Sequence, residues 1–443
     1  MGAVVGRAGV RAGGRTGRAG RRGGRAGWLA AGVATVALST ACAPPLIGIP
    51  AVSPGQPSTG QPAVQLPDAE CAQPVAGTEF AQAQPETVGL GAEALVDAMA
   101  YGSARGAQSL RVYRHGCLIA RSANDPMTDW VPLPAWSMTK GVVALVTGRA
   151  ITMGHLSLDD PIGRHVAGLD AAQGAITVRQ LLTQTSGLRF AWANDLNDAG
   201  TGDSAALVLR RPFETTPGSQ FVYAQTTVTA LVAVVEAAVG EDFQAFAGRE
   251  LFRPIGIPDT EWTWQRDGAG RTQGFAFLEM SPRSFGRIGS LMLEQGTWRG
   301  RELIAGSYFA EGRAGTPANP GYGFLWMTNQ GEHHIDTGPA LQRRERRWIR
   351  SLPEDAFGLT GMFDQHVVVV PSLDIVVVRM GLPADLFVDP IGDVDLFRPS
   401  WDHRFYRLLM ASVTDVDVPD AGDWTKDPDP PPIEPRYLID FFL

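Results

Sequence analysis

Lysine is almost missing from this chain. Only Lys140 and Lys426 occur among 38 basic residues, so arginine carries nearly all of the positive charge. Cysteine is scarce too, with Cys42, Cys71 and Cys117 the full set, enough for one bridge and one further thiol. No long apolar run is present: the longest near the start, Trp28 to Leu38, falls far short of the roughly 20 residues of a spanning helix. Charged residues make up 19% and hydrophobic ones 44%, the balance of a soluble globular protein. Nothing resembles a cofactor-binding loop, and no cofactor or metal is expected.

Residues 1–41 differ in kind from the rest. They hold seven arginines and no acidic residue, then the apolar run and Ser39-Thr40-Ala41-Cys42, which together read as an export signal. Cys42 at the cleavage boundary points to a lipoprotein, although Ser39 stands where such signals usually place leucine; an ordinary cleaved signal is the alternative. The protein is thus expected in the cell envelope, anchored by lipid, or else secreted. Removing 1–41 takes seven positive charges from a formal net charge of −8, leaving −15. So acidic a body argues against nucleic acid as a partner. With Cys42 lipidated, Cys71 and Cys117 remain as an even pair in an oxidising compartment, a disulfide candidate against the alternative of two buried thiols.

Residues 42–74, rich in Pro, Gly, Ser and Gln, read as a flexible tether, and the folded body is expected over 75–412. Ser109–Arg114 and Cys117–Ala120 form two strands around His115-Gly116, and Gln365–Pro371 and Asp374–Arg379 form two β-branched strands late in the chain. Between them, helical patterns cover Lys140–Met153, Val178–Gln184, Thr226–Val239 and Arg283–Gln295. Strands, then helices, then strands suggest a sheet interrupted by a helical insertion over about 155–255. Residues 413–443, rich in Asp and Pro, are expected as a tail laid on the surface.

Lys140 lies three residues after Ser137, a spacing that puts both side chains on one face of a helix. A serine hydroxyl needs an adjacent base to become a nucleophile. A desolvated lysine can lose its proton and supply one, whereas arginine cannot. A helix beginning near Ser137 would also turn its N-terminal amides towards an oxyanion. The bland alternative is a serine that merely caps a helix, and Ser-x-x-Lys alone is a weak motif.

Trp136-Ser137-Met138-Thr139-Lys140 resembles the first motif of the serine β-lactamase and penicillin-binding-protein superfamily, in the branch of class C β-lactamases, esterases and 6-aminohexanoate-dimer hydrolases. Supporting segments follow in that branch's order: Leu156–Pro161, Ile176–Leu188, Pro217–Tyr223, Pro254–Ile257 and Arg287–Gly289, so that the resemblance runs from about 90 to 385. It implies an α+β fold, an antiparallel sheet flanked by helices with a mostly helical second domain. It also implies catalysis by Ser137, Lys140 and Tyr223, the last matching the tyrosine of the Tyr-x-Asn motif and drawn towards the phenolate by cations. Gln225 replaces the asparagine of that motif and is assigned to the substrate carbonyl. Leu359-Thr360-Gly361 stands at the third motif, where the backbone amide of Thr360 would join that of Ser137 in the oxyanion hole. Leu359 and Gly361 are then substrate-binding positions. A leucine where the family usually has a cation disfavours substrates that present a carboxylate. The expected substrate is therefore a small amide or ester; β-lactams or muropeptides come second, and a non-hydrolytic envelope binding protein third.

His333, His334 and Asp336 are read as loop residues rather than a metal corner, and Arg343–Arg350 as a solvated basic run or a rim for an anionic substrate end. Trp192, Trp262, Trp264 and Trp326 are candidates for an apolar pocket wall, with core packing as the alternative. Oligomeric state is not legible.

Overall fold

A computed structural model describes residues 70–200, 202–384, 401–425, 427, 432–433 and 435–439. The leader, Cys42, most of the tether and Lys426 lie outside the described residues. Six strands, β1 (Ala107–Arg114), β2 (Cys117–Arg121), β3 (Met327–Thr328), β4 (Phe357–Gly361), β5 (Gln365–Val370) and β6 (Ile375–Gly381), form one antiparallel sheet in the order β2-β1-β6-β5-β4-β3. β5 is wholly buried, and so is β6 up to Met380; with both faces covered, continuous Val and Ile runs replace the usual alternation.

The helices that matter here are α1 (Ala92–Ser103), α2 (Met138–Thr152), α3 (Trp192–Gly200), α4 (Thr226–Val239), α5 (Pro282–Leu293) and α6 (Trp401–Ala411). α2 and α5 cover one face of the sheet: a Cβ added at Gly141 would meet Leu359, and one at Gly289 would meet Val367 and Val376. α1 and α6 cover the other, where Gly102 closes on Leu110 and Phe405. α2 is buried from Met138 through Ala150, which explains its lack of a polar stripe. It begins two residues before the predicted start. α4 has the predicted bounds and ends on Gly240 at φ 75°, a left-handed position that glycine fills without strain. Helices from Ile162 to Phe252 build the insertion, including α3, which the periodicity did not reveal.

Two expected boundaries shift. Residues 70–74, assigned to the tether, are tied to the body: Cys71 N–H donates to the His115 carbonyl at 2.9 Å, and Gln73 bonds Ser290 Oγ at 3.2 Å. Residues 413–427 are not merely laid on the surface. Val413 bridges Leu90, and Asp415 pairs with the buried Arg114 at 2.9 Å. Cys71 and Cys117 are joined by a disulfide that closes a loop across 46 residues. Cys71→Ala/Cys117→Ala should cost about 2–4 kcal/mol, read as a lowered urea midpoint relative to the oxidised protein. An unmoved midpoint would contradict that role.

Candidate active site

Ser137 stands at the N-cap position of α2, yet its side chain caps no helical amide. Its hydroxyl instead meets Lys140 Nζ at 2.9 Å. Nζ has two further partners, Gln225 Oε1 at 2.7 Å and the Phe275 carbonyl at 2.9 Å. Those two accept only, so two N–H bonds of the amine are directed at them, and the third position of Nζ faces a hydroxyl that can either give or take a proton. Lys140 is 1% exposed. Burial drives its pKa well below the ordinary lysine value, and the Asp195 carboxylate offsets only part of that. The neutral amine, with its lone pair on Ser137 Oγ, satisfies every contact.

Tyr223 is buried and lines the same cleft as Ser137. The Lys140 ammonium position lies 4.6 Å from the centre of its ring. Burial raises the phenol's pKa, against a smaller lowering by Ser137. The expected phenolate is therefore corrected. The resting phenol keeps its proton, because burial penalises the phenolate by more than Ser137 offsets.

Gln225 does more than the motif implies. Its oxygen holds Lys140 and its Nε2 reaches back to the Tyr223 carbonyl at 3.4 Å, so besides lining the cleft it orients the lysine. Sequence reasoning missed what fixes this corner. Asp195, on α3 and fully buried, accepts from the amides of Gln225 at 2.6 Å and Thr226 at 2.9 Å, from the Thr226 hydroxyl, and from Arg211 at 2.8 Å. It thereby supplies a carboxylate to the N-terminus of α4. Gln184, at φ 57°, clamps the same segment through both backbone groups of Ala224. The signal available was an acidic residue inside an unread amphipathic helix.

Leu359 is the second correction. Strand alternation sends it under Gly141, into the core between β4 and α2, and it does not line the cleft. Thr360 and Gly361 do line it. A side chain at Gly361 would collide with the Ala135 carbonyl, so glycine lets β4 approach the turn that carries Ser137. That turn is strained: Trp136 has φ 50°, and Phe363 and Asp364, beside the cleft, have φ 64° and 60°. Trp136 and Phe363 brace each other edge-to-face at 5.0 Å. Backbone strain gathered around one serine is characteristic of functional sites.

The cleft holds about 230 Å³. Its lining is mixed: Trp136, Trp192, Leu196, Phe275 and Phe277 are apolar, and His334, Asp336, Arg346, Asp364, His366 and Asp402 are polar. Of the four candidate tryptophans only Trp192 lines this cleft. Trp326 stacks on Phe309 in the core, and Trp262 and Trp264 pack near Phe252 and Phe243. His366, cross-strand from Thr360, is buried with Nδ1 unpartnered, and burial lowers its pKa to about 3. His334 Nδ1 lies 2.8 Å from the Arg346 carbonyl, and Asp336 takes Arg344 at 2.7 Å, so neither acts as a free ligand. The basic run is not simply solvated: Arg344 is buried and Arg346 faces the cleft.

The Beta-lactamase family profile matches residues 92–381. Esterase EstB of Burkholderia gladioli is 29% identical over 163 residues, which span 32% of this chain and 41% of that protein. A methylbutanoyltransferase of Penicillium citrinum is 26% identical over 167 residues, 32% of this chain and 40% of that protein. Both matches thus cover well under half of the relative's length. Among solved structures, a Bacillus anthracis protein assigned as a 6-aminohexanoate-dimer hydrolase superposes with TM-score 0.54 at 15% identity, covering 71% of this chain and 85% of that one. SurE superposes with TM-score 0.53 at 20% identity, covering 78% and 80%. These likenesses carry the fold. From the profile match and the shared antiparallel sheet with its flanking helices, the chain belongs to the Beta-lactamase family of serine hydrolases.

Proposed function

We propose that the chain cleaves a carboxylic ester or amide through an acyl-enzyme on Ser137. The observation that carries this is Lys140 Nζ, dehydrated, fixed by two acceptors and directed at the serine hydroxyl. Lys140 takes the proton as Ser137 Oγ attacks the carbonyl. The amides of Ser137 and Thr360 hold the oxyanion. As the tetrahedral adduct collapses, the proton passes by way of Tyr223 to the leaving alcohol or amine. Water then attacks the ester on Ser137, giving its proton to the same base and releasing the acid.

The apolar part of the lining supports a hydrocarbon acyl or leaving group. Among the described residues the one arginine or lysine in the cleft lining, Arg346, is already paired, which supports uncharged substrates over β-lactams and muropeptides with their carboxylates. Export to the envelope, with lipid on Cys42, belongs to the same proposal and rests on the composition of the leader.

A fluorophosphonate probe should label the protein and leave Ser137→Ala unlabelled. Hydrolysis of p-nitrophenyl butyrate should drop by roughly 10³-fold or more in that variant. Equal labelling of both proteins would reject Ser137, and an inert wild type would favour a binding protein that merely keeps the fold.

A further inference from the structure

Arg346 lines the catalytic cleft, but the residue that occupies it comes from the far end of the chain. Its Nε lies 2.9 and 3.0 Å from the two carboxylate oxygens of Asp427, and Nη2 lies 2.8 Å from one of them. Nη1 is spent on the carbonyls of Arg347 and Trp348, at 3.1 and 2.7 Å. Every nitrogen of the guanidinium is therefore engaged away from substrate. Asp427 also stands 3.7 Å from Arg344, which holds Asp336. Burial would raise the Asp427 carboxyl, but its bonds to Arg346 hold it below the usual range, so it stays ionised at neutral pH.

The same segment is fastened nearby. Trp424 lies under the guanidinium groups of Arg346 and Arg350, at 5.1 and 5.6 Å, and against His403 at 5.5 Å. Arg407 grips Asp420 and Asp423. None of these contacts serves the chemistry at Ser137. Together they place a carboxylate behind the cleft wall, where it neutralises Arg346.

We infer that residues 418–425 and Asp427 back the active-site wall, and that Asp427, by occupying Arg346, sets the substrate class against carboxylate-bearing molecules. This rests on the ester and amide hydrolase reading above. Asp427 is a positioning residue: it touches no reacting atom and acts through the donors it withholds. Its replacement leaves Nε and Nη2 of Arg346 without their acceptor, and a turn of the guanidinium into the cleft would offer an anionic acyl group a bidentate partner.

The test compares p-nitrophenyl valerate with the p-nitrophenyl monoester of glutarate, acyl chains of equal length without and with a terminal carboxylate. Wild type should favour valerate. Asp427→Asn should raise the glutarate-to-valerate ratio of kcat/KM by about tenfold, the worth of a hydrogen bond to a charged group. Adding Arg346→Met should return the ratio to the wild-type value, an outcome that general loosening of the wall would not give. Trp424→Ala, which removes the ring under Arg346 and loosens the segment but leaves the Asp427 carboxylate in place, should move the ratio the same way and serves if Asp427→Asn does not fold. An unmoved ratio in soluble variants that still cleave valerate overturns this inference alone. Failure of wild type to cleave either ester overturns the hydrolase reading with it.

Discussion

Replacing Lys140 by methionine is expected to lower kcat by about 10²–10⁴-fold, the usual worth of a positioned general base. Lys140→Arg should do no better, because a guanidinium keeps its proton and cannot accept another from Ser137. Activity in the wild type should fall on the acid side with a midpoint far below the ordinary lysine value, since only the unprotonated amine accepts a proton. A limb near 10.5 would contradict the neutral amine. Stability carries the same signature with a defined sign. The folded pKa lies below the unfolded one, so between the two the unfolded chain binds the extra proton. The contribution of Lys140 is fully present above 10.5 and is lost as pH falls towards the lowered value. Urea midpoints at pH 8 and pH 10 should therefore show wild type gaining on Lys140→Met as pH rises. Parallel behaviour of the two proteins would count against a discharged lysine.

Asp195→Ala should be the most damaging change away from the reacting atoms. It removes an acceptor from two amides and a hydroxyl and leaves Arg211 half-paired in the interior, where its remaining partner is Asp198. Breaking a buried pair on one side costs about 3–5 kcal/mol. Asp195→Asn keeps the shape and should recover part of that stability. In both variants kcat should fall more than substrate affinity changes, because Gln225 loses the anchor that aims it at Lys140. A variant with normal kcat and lowered stability would confine Asp195 to folding.

The lysine and the serine were legible because chemistry forces them together. A serine and a lysine one helical turn apart can be seen in five residues, and one of only two lysines in a chain otherwise built on arginine makes the pair conspicuous. Leu359 was misjudged, and the second role of Gln225 missed, for a shared reason: motif position fixes the backbone, whereas the direction of a side chain follows from strand alternation and from whatever its neighbours require. Leu359 turned towards Gly141, and Gln225 turned towards the amine. The pairings of Asp195 and Asp427 were not legible because their partners lie far along the chain, at Thr226 and at Arg346, and sequence spacing says nothing about such pairs. The strands and helices, by contrast, were read to within a few residues wherever a period or a Val run was strong; α3, short and polar, was not.

The covalent clip between Cys71 and Cys117 has a mechanical consequence. Whatever pulls on the chain upstream of Cys71 meets resistance at β2, an outer strand of the sheet, whereas β4, which carries Thr360, is separated from it by the three strands β1, β6 and β5. Tension from an anchoring point would thus be grounded at the opposite border of the sheet, leaving the geometry around Ser137 undisturbed while the molecule is tugged.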